Sequence, residues 1–424
     1  MVNGNRDMSE ARAGPPELVR VELPVAWTFA GLVAGLLAGL LLAGTSVIEP
    51  VLAVAAPVGG LWLRGLQMTI IPLVAALLVM GISQMAQAAS AGRTARTMLT
   101  LVFGVLAFGA IAAVLLVPLL LDLFPIPPGA AAFIGSEPQE AQALPGIADF
   151  LTSLIAPNLI AAAAETAMLP LTVFFALFAV AVTRLPDAQR DVLLRFFHAL
   201  GNAMLTIIGW VLWLAPVGVF ALGLGVGARA GSGAFTALLH YIAIVSSIGV
   251  VILLAAYLLG IIGGRIGPVR FAKALLPAQA VAVSTQSSLA SLPAMLDSAN
   301  RLNLQERTAE FVLPLAVAIF RATSPAMNLA VAIYVAHLLG VTPGPAQYAA
   351  GIGVALIISI GTVSLPGTIS FVVSIGPIAL AMGVPIEPLA ILVAVEMLPD
   401  IVRTLANVTM NVAITSVVDR RVEG

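Results

Sequence analysis

The chain has 424 residues; 60% are hydrophobic, 9% are charged, and the mean hydropathy is +1.09. A soluble domain could not bury this much apolar surface, so the composition predicts a polytopic helical membrane protein. A net charge of −1 argues against a nucleic-acid partner, and the absence of cysteine excludes disulfides and thiolate chemistry.

The first half of the chain predicts a polar tail followed by continuous apolar spans. Residues 1–24 are polar and resemble a cytoplasmic tail before a retained helix more than a cleaved signal peptide. The spans form helices 1–3 within 25–121 and helices 4–6 within 159–263, on either side of an extracellular loop at 122–158. They are predicted at 25–43, about 51–84, 97–121, 159–183, 194–227 and 234–262.

The second half, 264–424, is predicted to be interrupted at membrane depth. Hairpin 1 (268–304) and hairpin 2 (345–382) break at the similar tips "SLASLPA" and "TVSLPGT", and helix 7 (306–339) breaks at "FRATSP". Helix 8 follows at 386–418. Paired broken segments in two halves of a repeat are typical of transporter binding sites. The alternative is that Ser-Pro kinks only bend packed helices.

The distribution of basic residues predicts the orientation. If both hairpins re-enter on their own side, the cytoplasmic segments hold all but four of the 19 Lys and Arg residues. The exceptions are Arg64, Arg229, Arg321 and Arg403. The chain is therefore expected to cross the inner (plasma) membrane of the cell several times. Both termini are expected in the cytoplasm.

Helix 8 carries a polar stripe. Asp400, Arg403, Thr404 and Asn407 fall on one helical face, and intramembrane ionisable residues are functional candidates. Asp400 can accept hydrogen bonds from an ammonium group, while Arg403 can grip a carboxylate in two places. With Thr404 and Asn407 available for a second carboxylate, the stripe predicts an acidic amino acid as ligand. The alternative is a purely structural ion pair.

Four motifs then give the chain a family resemblance. "LQMTIIPLV" (66–74), "STQSSLASLP" (284–293), "SIGTVSLPG" (359–367) and "DIVRTLANVT" (400–409) resemble the dicarboxylate/amino acid:cation symporter family. The resemblance implies an all-α membrane protein with eight transmembrane helices, two re-entrant hairpins and inverted repeats. It also implies a homotrimer in contact with membrane lipid, and an elevator mechanism in which the hairpin 2 tip gates the outside.

The resemblance also assigns roles to residues of this chain. Asp400 would meet the substrate amine, Arg403 its side-chain carboxylate, and the tips would close around it. The substrate-binding set implied in this way is Ser287, Ser288, Ser324, Val363, Gly367, Asp400, Arg403, Thr404 and Asn407. Because dicarboxylate carriers generally lack the carboxylate at Asp400 and neutral amino-acid carriers lack the arginine, an acidic amino acid is favoured over a dicarboxylate.

The chain departs from the family at its sodium ligands. Where the family reads Asn-Met-Asp-Gly-Thr, this chain reads Phe320, Arg321, Ala322, Thr323 and Ser324, and Asn411 replaces a further aspartate. Two of three sodium sites are therefore predicted to be dismantled. The third, largely of backbone carbonyls around Ser359, Ile360 and Thr362, keeps its local sequence.

Two residues are candidates for the altered coupling. Arg321 could act as a tethered cation in place of sodium, or could only pair with an acidic neighbour such as Glu396. Glu396 could carry a proton, as could Glu165, so no cofactor is expected beyond Na⁺ or H⁺ as coupling ion.

Other function classes fit the sequence less well. No histidine lies near a serine-rich tip and no nucleophile motif is present, so an enzyme is not predicted. The alternatives are a sodium-coupled C4-dicarboxylate or amino-acid symporter that uses only the hairpin 2 site, and an anion channel.

Overall fold

The computed structural model describes residues 25–90, 92–127, 152–230, 233–361 and 367–423. The predicted tail 1–24, most of the loop 122–158, and Thr362 and Val363 lie outside these residues. All regular structure within the described residues is helical, as predicted. The layout of eight spans and two hairpins stays a prediction.

The first half of the chain contains long helices joined by short connections. In chain order they are α1 (Val25–Leu42), α2 (Ile48–Gln67), α3 (Ile70–Ser90), α4 (Arg93–Leu123), α5 (Leu159–Ala164), α6 (Met168–Thr183), α7 (Asp187–Trp213), α8 (Ala215–Ala230) and α9 (Gly233–Leu258). A π-helical turn, Leu259–Gly263, follows α9 directly.

The second half consists of shorter helices with breaks. They are α10 (Pro268–Thr285), α11 (Leu292–Arg301), α12 (Glu306–Ile319), α13 (Ser324–Leu338), α14 (Pro345–Gly361), α15 (Gly367–Ala381), α16 (Leu389–Leu392) and α17 (Met397–Glu423). Six segments of the described chain are long and apolar enough to cross a membrane.

Two spans predicted as continuous are interrupted. The span at 51–84 breaks at Met68 and Thr69, between α2 and α3. Pro72 lies in the first turn of α3 and has no N–H to continue the hydrogen-bond ladder of α2, so the chain restarts there. The Thr69 hydroxyl donates instead to the Leu66 carbonyl at 2.8 Å. The span at 194–227 breaks at Leu214, two residues before Pro216.

Helices α12, α13 and α17 form the centre of the molecule. The most apolar 18-residue stretch is 83% buried in Glu306–Leu338 and in Met397–Val422. The corresponding stretch of Asp187–Trp213 is only 22% buried. Every residue of α13 except His337 is buried. α13 packs on α4, α9 and α15, and α17 packs on α9 and α10. A buried polar residue on α13 or α17 therefore faces protein rather than lipid.

Helices α1 and α8 approach closely through a glycine ridge. Gly31, Gly35 and Gly39 recur every four residues, and a Cβ on any of them would clash with a backbone carbonyl of α8. Such small-residue spacing lets membrane helices approach closely. The ridge therefore brings the backbones of α1 and α8 into close contact.

Gly35→Ala is therefore expected to destabilise the protein by about 1–3 kcal/mol, the usual cost of overpacking. The measurement is the midpoint of thermal unfolding in detergent, followed by tryptophan fluorescence. Gly104→Ala on α4 is the matched control, because its Cβ would have no atom within 4 Å. Equal midpoints for the two variants would contradict close packing at the ridge.

Candidate substrate site

The polar stripe of α17 is buried in the centre of the protein. Asp400, Arg403, Thr404 and Asn407 are each at most 7% exposed. They lie in the N-terminal half of α17, which begins at Met397 after four turn residues. Polar side chains at this depth need partners, and the partners come from α17 itself, the turn before it, the break between α12 and α13, and α13.

Arg403 is the centre of this arrangement. Its Nη2 lies 2.7 Å from Oε1 of Glu396, its Nη1 donates to Oδ1 of Asn328 at 3.0 Å, and its Nε lies 3.4 Å from Oδ1 of Asp400. A guanidinium has five N–H groups. Among the described residues, one N–H on each terminal nitrogen is left without a partner, which is the number that a bidentate carboxylate requires.

Glu396 is the nearest acid to Arg403. It is 1% exposed and lies in the turn just before α17, where the non-helical backbone lets the carboxylate fold back over the guanidinium. Its Oε2 accepts a 3.4 Å hydrogen bond from the Tyr241 hydroxyl of α9. From the sequence, Glu396 was a candidate partner of Arg321. In the structure, Glu396 forms an ion pair with Arg403.

Asn407 holds the break between α12 and α13. Its Oδ1 accepts hydrogen bonds from both the backbone N–H and the hydroxyl of Thr323, each at 3.0 Å. Phe320 ends α12 in an extended conformation, and Pro325 occupies the first turn of α13. The amide oxygen of Asn407 is thus used inside the protein, and its Nδ2 is the group left to donate to a ligand.

Ser324 extends the network to α14. Its Oγ accepts from Nδ2 of Asn328 at 3.3 Å and lies 2.9 Å from Oγ of Ser359. Ser359 also donates to the Ala355 carbonyl at 2.6 Å. A continuous polar chain therefore joins Ser359 and Ser324 to Asn328 and Arg403.

Arg321 lies in the break itself, partly buried. Its charge is attracted by Asp400 and repelled by Arg403. The region thus contains two carboxylates, Glu396 and Asp400, and two guanidiniums. Since these formal charges balance, the described residues of this region are neutral without a further cation.

The hairpin residues do not all join this network. Ser287 and Ser288 lie in the turn between α10 and α11, where Ser287 Oγ accepts from the Ala290 N–H at 3.2 Å. Among the described residues, no hydrogen bond joins this turn to α17. Gly367 is the first residue of α15, Ile360 lies near the end of α14, and Val363 and Thr362 lie outside the described residues.

The positions that match the family's sodium ligands do not fit a sodium site with carboxylate ligands. Phe320 and Ala322 are buried and offer no side-chain oxygen, while Asn411 offers only a carboxamide. Among the described residues, neither polar side-chain atom of buried Asn411 has a hydrogen-bond partner.

Sequence reasoning missed two residues of this site, Asn328 and Tyr241. Asn328 follows Ser324 by four residues, so helical spacing could have placed both on one face. No local pattern marks Tyr241, a single tyrosine in an apolar helix, because its contact with Glu396 depends on how α9 packs on α17.

Sequence comparisons relate the chain to known transporters. The family model of the sodium:dicarboxylate symporter family matches residues 25–421. A proton/sodium-glutamate symport protein of Bacillus subtilis (strain 168) is 26% identical over 413 residues, covering 93% of this chain and 92% of the relative. A proton/glutamate-aspartate symporter of Escherichia coli (strain K12) is 28% identical over 271 residues, covering 63% and 60%.

Another relative, neutral amino acid transporter A of Homo sapiens, is 26% identical over 446 residues, covering 92% of this chain and 80% of the relative. These proteins are transporters rather than enzymes, which confirms the sequence prediction. With a match over nearly its whole length and several helices able to cross a membrane, the chain belongs to the sodium:dicarboxylate symporter family.

Proposed function

We propose that the protein is a secondary active transporter of acidic amino acids, aspartate or glutamate, that works as an elevator in a homotrimer with cytoplasmic termini. The proposed substrate is inferred mainly from the position of Arg403 beside Asp400. Two N–H groups of Arg403 have no partner among the described residues and can bind a carboxylate, and Asp400 Oδ1, 3.4 Å from Nε, can also accept from an ammonium group.

The neighbouring groups support the same substrate. An α-amino acid with a carboxylate side chain has one ammonium and two carboxylates. Its amine would meet Asp400, its side-chain carboxylate Arg403, and its α-carboxylate the Nδ2 of Asn407 and the hydroxyl of Thr404. The tip residues Ser287, Ser288, Val363 and Gly367, with Ser324, would complete the enclosure.

The coupling is proposed to be independent of sodium, or linked to protons. Phe320 and Ala322 supply no side-chain oxygen, and the two arginines already balance the two carboxylates. The 2.7 Å ion pair between Glu396 and Arg403 suggests how a proton could take part. When Glu396 is protonated, Arg403 is left with uncompensated charge, which a substrate carboxylate can neutralise.

Uptake of labelled aspartate into proteoliposomes tests substrate and coupling together. We expect saturable uptake driven by an inward proton gradient and unaffected by an inward sodium gradient. Uptake that requires sodium would overturn the proposed coupling, and the absence of saturable aspartate uptake would overturn the substrate.

Glu396→Gln provides a separate test of proton coupling. The amide keeps the shape of the side chain but cannot release a proton. We expect that exchange of labelled for unlabelled aspartate persists, while accumulation under a pH gradient falls at least tenfold. Glu49→Gln is the control, since Glu49 is an exposed residue in the first turn of α2 to which no role in coupling is assigned. Gradient-driven accumulation equal to that of the wild type would show that Glu396 carries no proton.

A second candidate keeps sodium. The relative from Bacillus subtilis is a proton/sodium-glutamate symport protein. Ser359 and Ile360 lie in the last turn of α14, where the backbone carbonyls have no partner within the helix. A symporter of C4-dicarboxylates or amino acids with this single sodium site would show sodium-driven uptake in the same liposomes. An anion channel would instead give currents without saturable exchange.

A further inference from the structure

A cleft lined by arginines lies at the end of the bundle, away from the substrate site. Arg93, Arg96, Thr97 and Thr100 of α4 and Arg421 of α17 line a volume of about 390 Å³. We call this feature the arginine cleft. It is open to the surroundings, since Arg93, Arg96 and Arg421 are all exposed.

These charges are not paired with any acidic side chain that the structure describes. None of the three arginines forms an ion pair or a side-chain hydrogen bond with another described residue. The neighbouring Arg420, by contrast, donates to the Gly263 carbonyl at 2.9 Å. The three guanidiniums therefore offer their N–H groups to a ligand.

The position of Arg93 and Arg96 is unfavourable for the helix alone. The N-terminus of a helix carries partial positive charge and prefers acidic residues, yet the first turn of α4 has none. Two arginines there add to the charge of the helix end. An anion bound in the cleft would relieve this repulsion and could also accept from free backbone N–H groups.

An apolar surface continues from the cleft along α4. C-terminal to Arg96 and Thr100 on α4, large hydrophobic side chains at helical spacing are between 47% and 65% exposed: Phe103, Phe108, Ile111, Leu115 and Leu119. A free phosphate would use only the arginines. A ligand with a phosphate at one end and hydrocarbon chains at the other fits both parts of this surface.

We propose that the arginine cleft binds the phosphate of an anionic phospholipid, whose acyl chains lie along the exposed face of α4. Arginine pairs with phosphate through parallel hydrogen bonds, and basic pockets between membrane helices bind anionic headgroups. Each arginine near the membrane surface contributes about fivefold to such binding. α4 packs on α13 and α17, so the bound lipid touches a helix that supports the substrate site.

Native mass spectrometry of the detergent-purified protein tests the proposal. The probes are phosphatidylglycerol, phosphatidylcholine and soluble glycerol phosphate. The variant combines Arg93→Gln, Arg96→Gln and Arg421→Gln. The control removes the same charge elsewhere, through Arg184→Gln, Arg190→Gln and Arg195→Gln near the start of α7. We expect the wild type and the control to retain phosphatidylglycerol in preference to phosphatidylcholine, and the cleft variant to lose on the order of a hundredfold in affinity.

Equal retention of phosphatidylglycerol by the cleft variant and the control would overturn the proposal. Binding of glycerol phosphate with no preference for phosphatidylglycerol would overturn the assignment to a lipid. A photoreactive phosphatidylglycerol, bound to the wild-type protein, keeps the test decisive if the variant misfolds. Crosslinks at residues 93–108 support the cleft, and crosslinks confined to other helices contradict it.

Discussion

Replacing Arg403 by glutamine is expected to lower the affinity for aspartate by about a hundredfold or more. The substitution removes two charged hydrogen bonds to the substrate carboxylate, each of which contributes about 1.5–3 kcal/mol. Binding of alanine, which has no second carboxylate, is expected to change little. Competition against labelled aspartate, or calorimetry on the purified protein, measures both affinities.

A second consequence of the same substitution must be separated from the first. Without Arg403, the buried carboxylate of Glu396 loses its cation and keeps only Tyr241 as a partner among the described residues, which typically costs about 3–5 kcal/mol of stability. The double variant Glu396→Gln, Arg403→Gln removes both charges. It is therefore expected to recover most of the unfolding midpoint of the wild type, but none of the aspartate affinity. Aspartate affinity within threefold of wild type in the double variant would mean that Arg403 only neutralises Glu396.

Much of the fold follows from hydropathy and proline positions. The predicted span 97–121 lies within the helix Arg93–Leu123, because a run of apolar residues long enough to cross a bilayer has few other stable conformations. The break at Met68 and Thr69 was not predicted, although Pro72 marks it. Hydropathy alone does not predict such a break, since the residues on both sides of it are equally apolar.

The site was predictable along one helix but not between helices. Helical spacing aligns Asp400 with Arg403, and the structure buries both. Spacing does not show that Glu396, rather than Asp400, is the closer partner of Arg403, because that depends on a turn before α17. Asn328 reaches Arg403 from another helix at 3.0 Å, a contact set by the packing of α13 on the rest of the core.

Replacing Arg321 by methionine is expected to lower the sodium-free affinity for aspartate by at least tenfold. The charge of Arg321 interacts with Asp400, the carboxylate proposed to bind the substrate amine. Unit charges about 4 Å apart interact by roughly 4 kcal/mol at an effective dielectric constant of 20, and a tenfold change needs only about 1.4 kcal/mol. Arg321→Lys is the matched control, because it keeps the positive charge at nearly the same depth. We expect its affinity to stay within about threefold of wild type.

A further set of changes distinguishes a tethered cation from a structural ion pair. Phe320→Asn, Arg321→Met and Ala322→Asp together restore the residue types that the family carries in this break. If Arg321 supplies the charge that sodium supplies in relatives, the triple variant should bind aspartate weakly without sodium and more tightly as sodium is added. A structural pair predicts a different result, since its loss would lower the unfolding midpoint and leave the binding independent of sodium. Unchanged, sodium-independent aspartate affinity in Arg321→Met would refute the tethered cation directly, because a charge that organises the site cannot be removed without a change in binding.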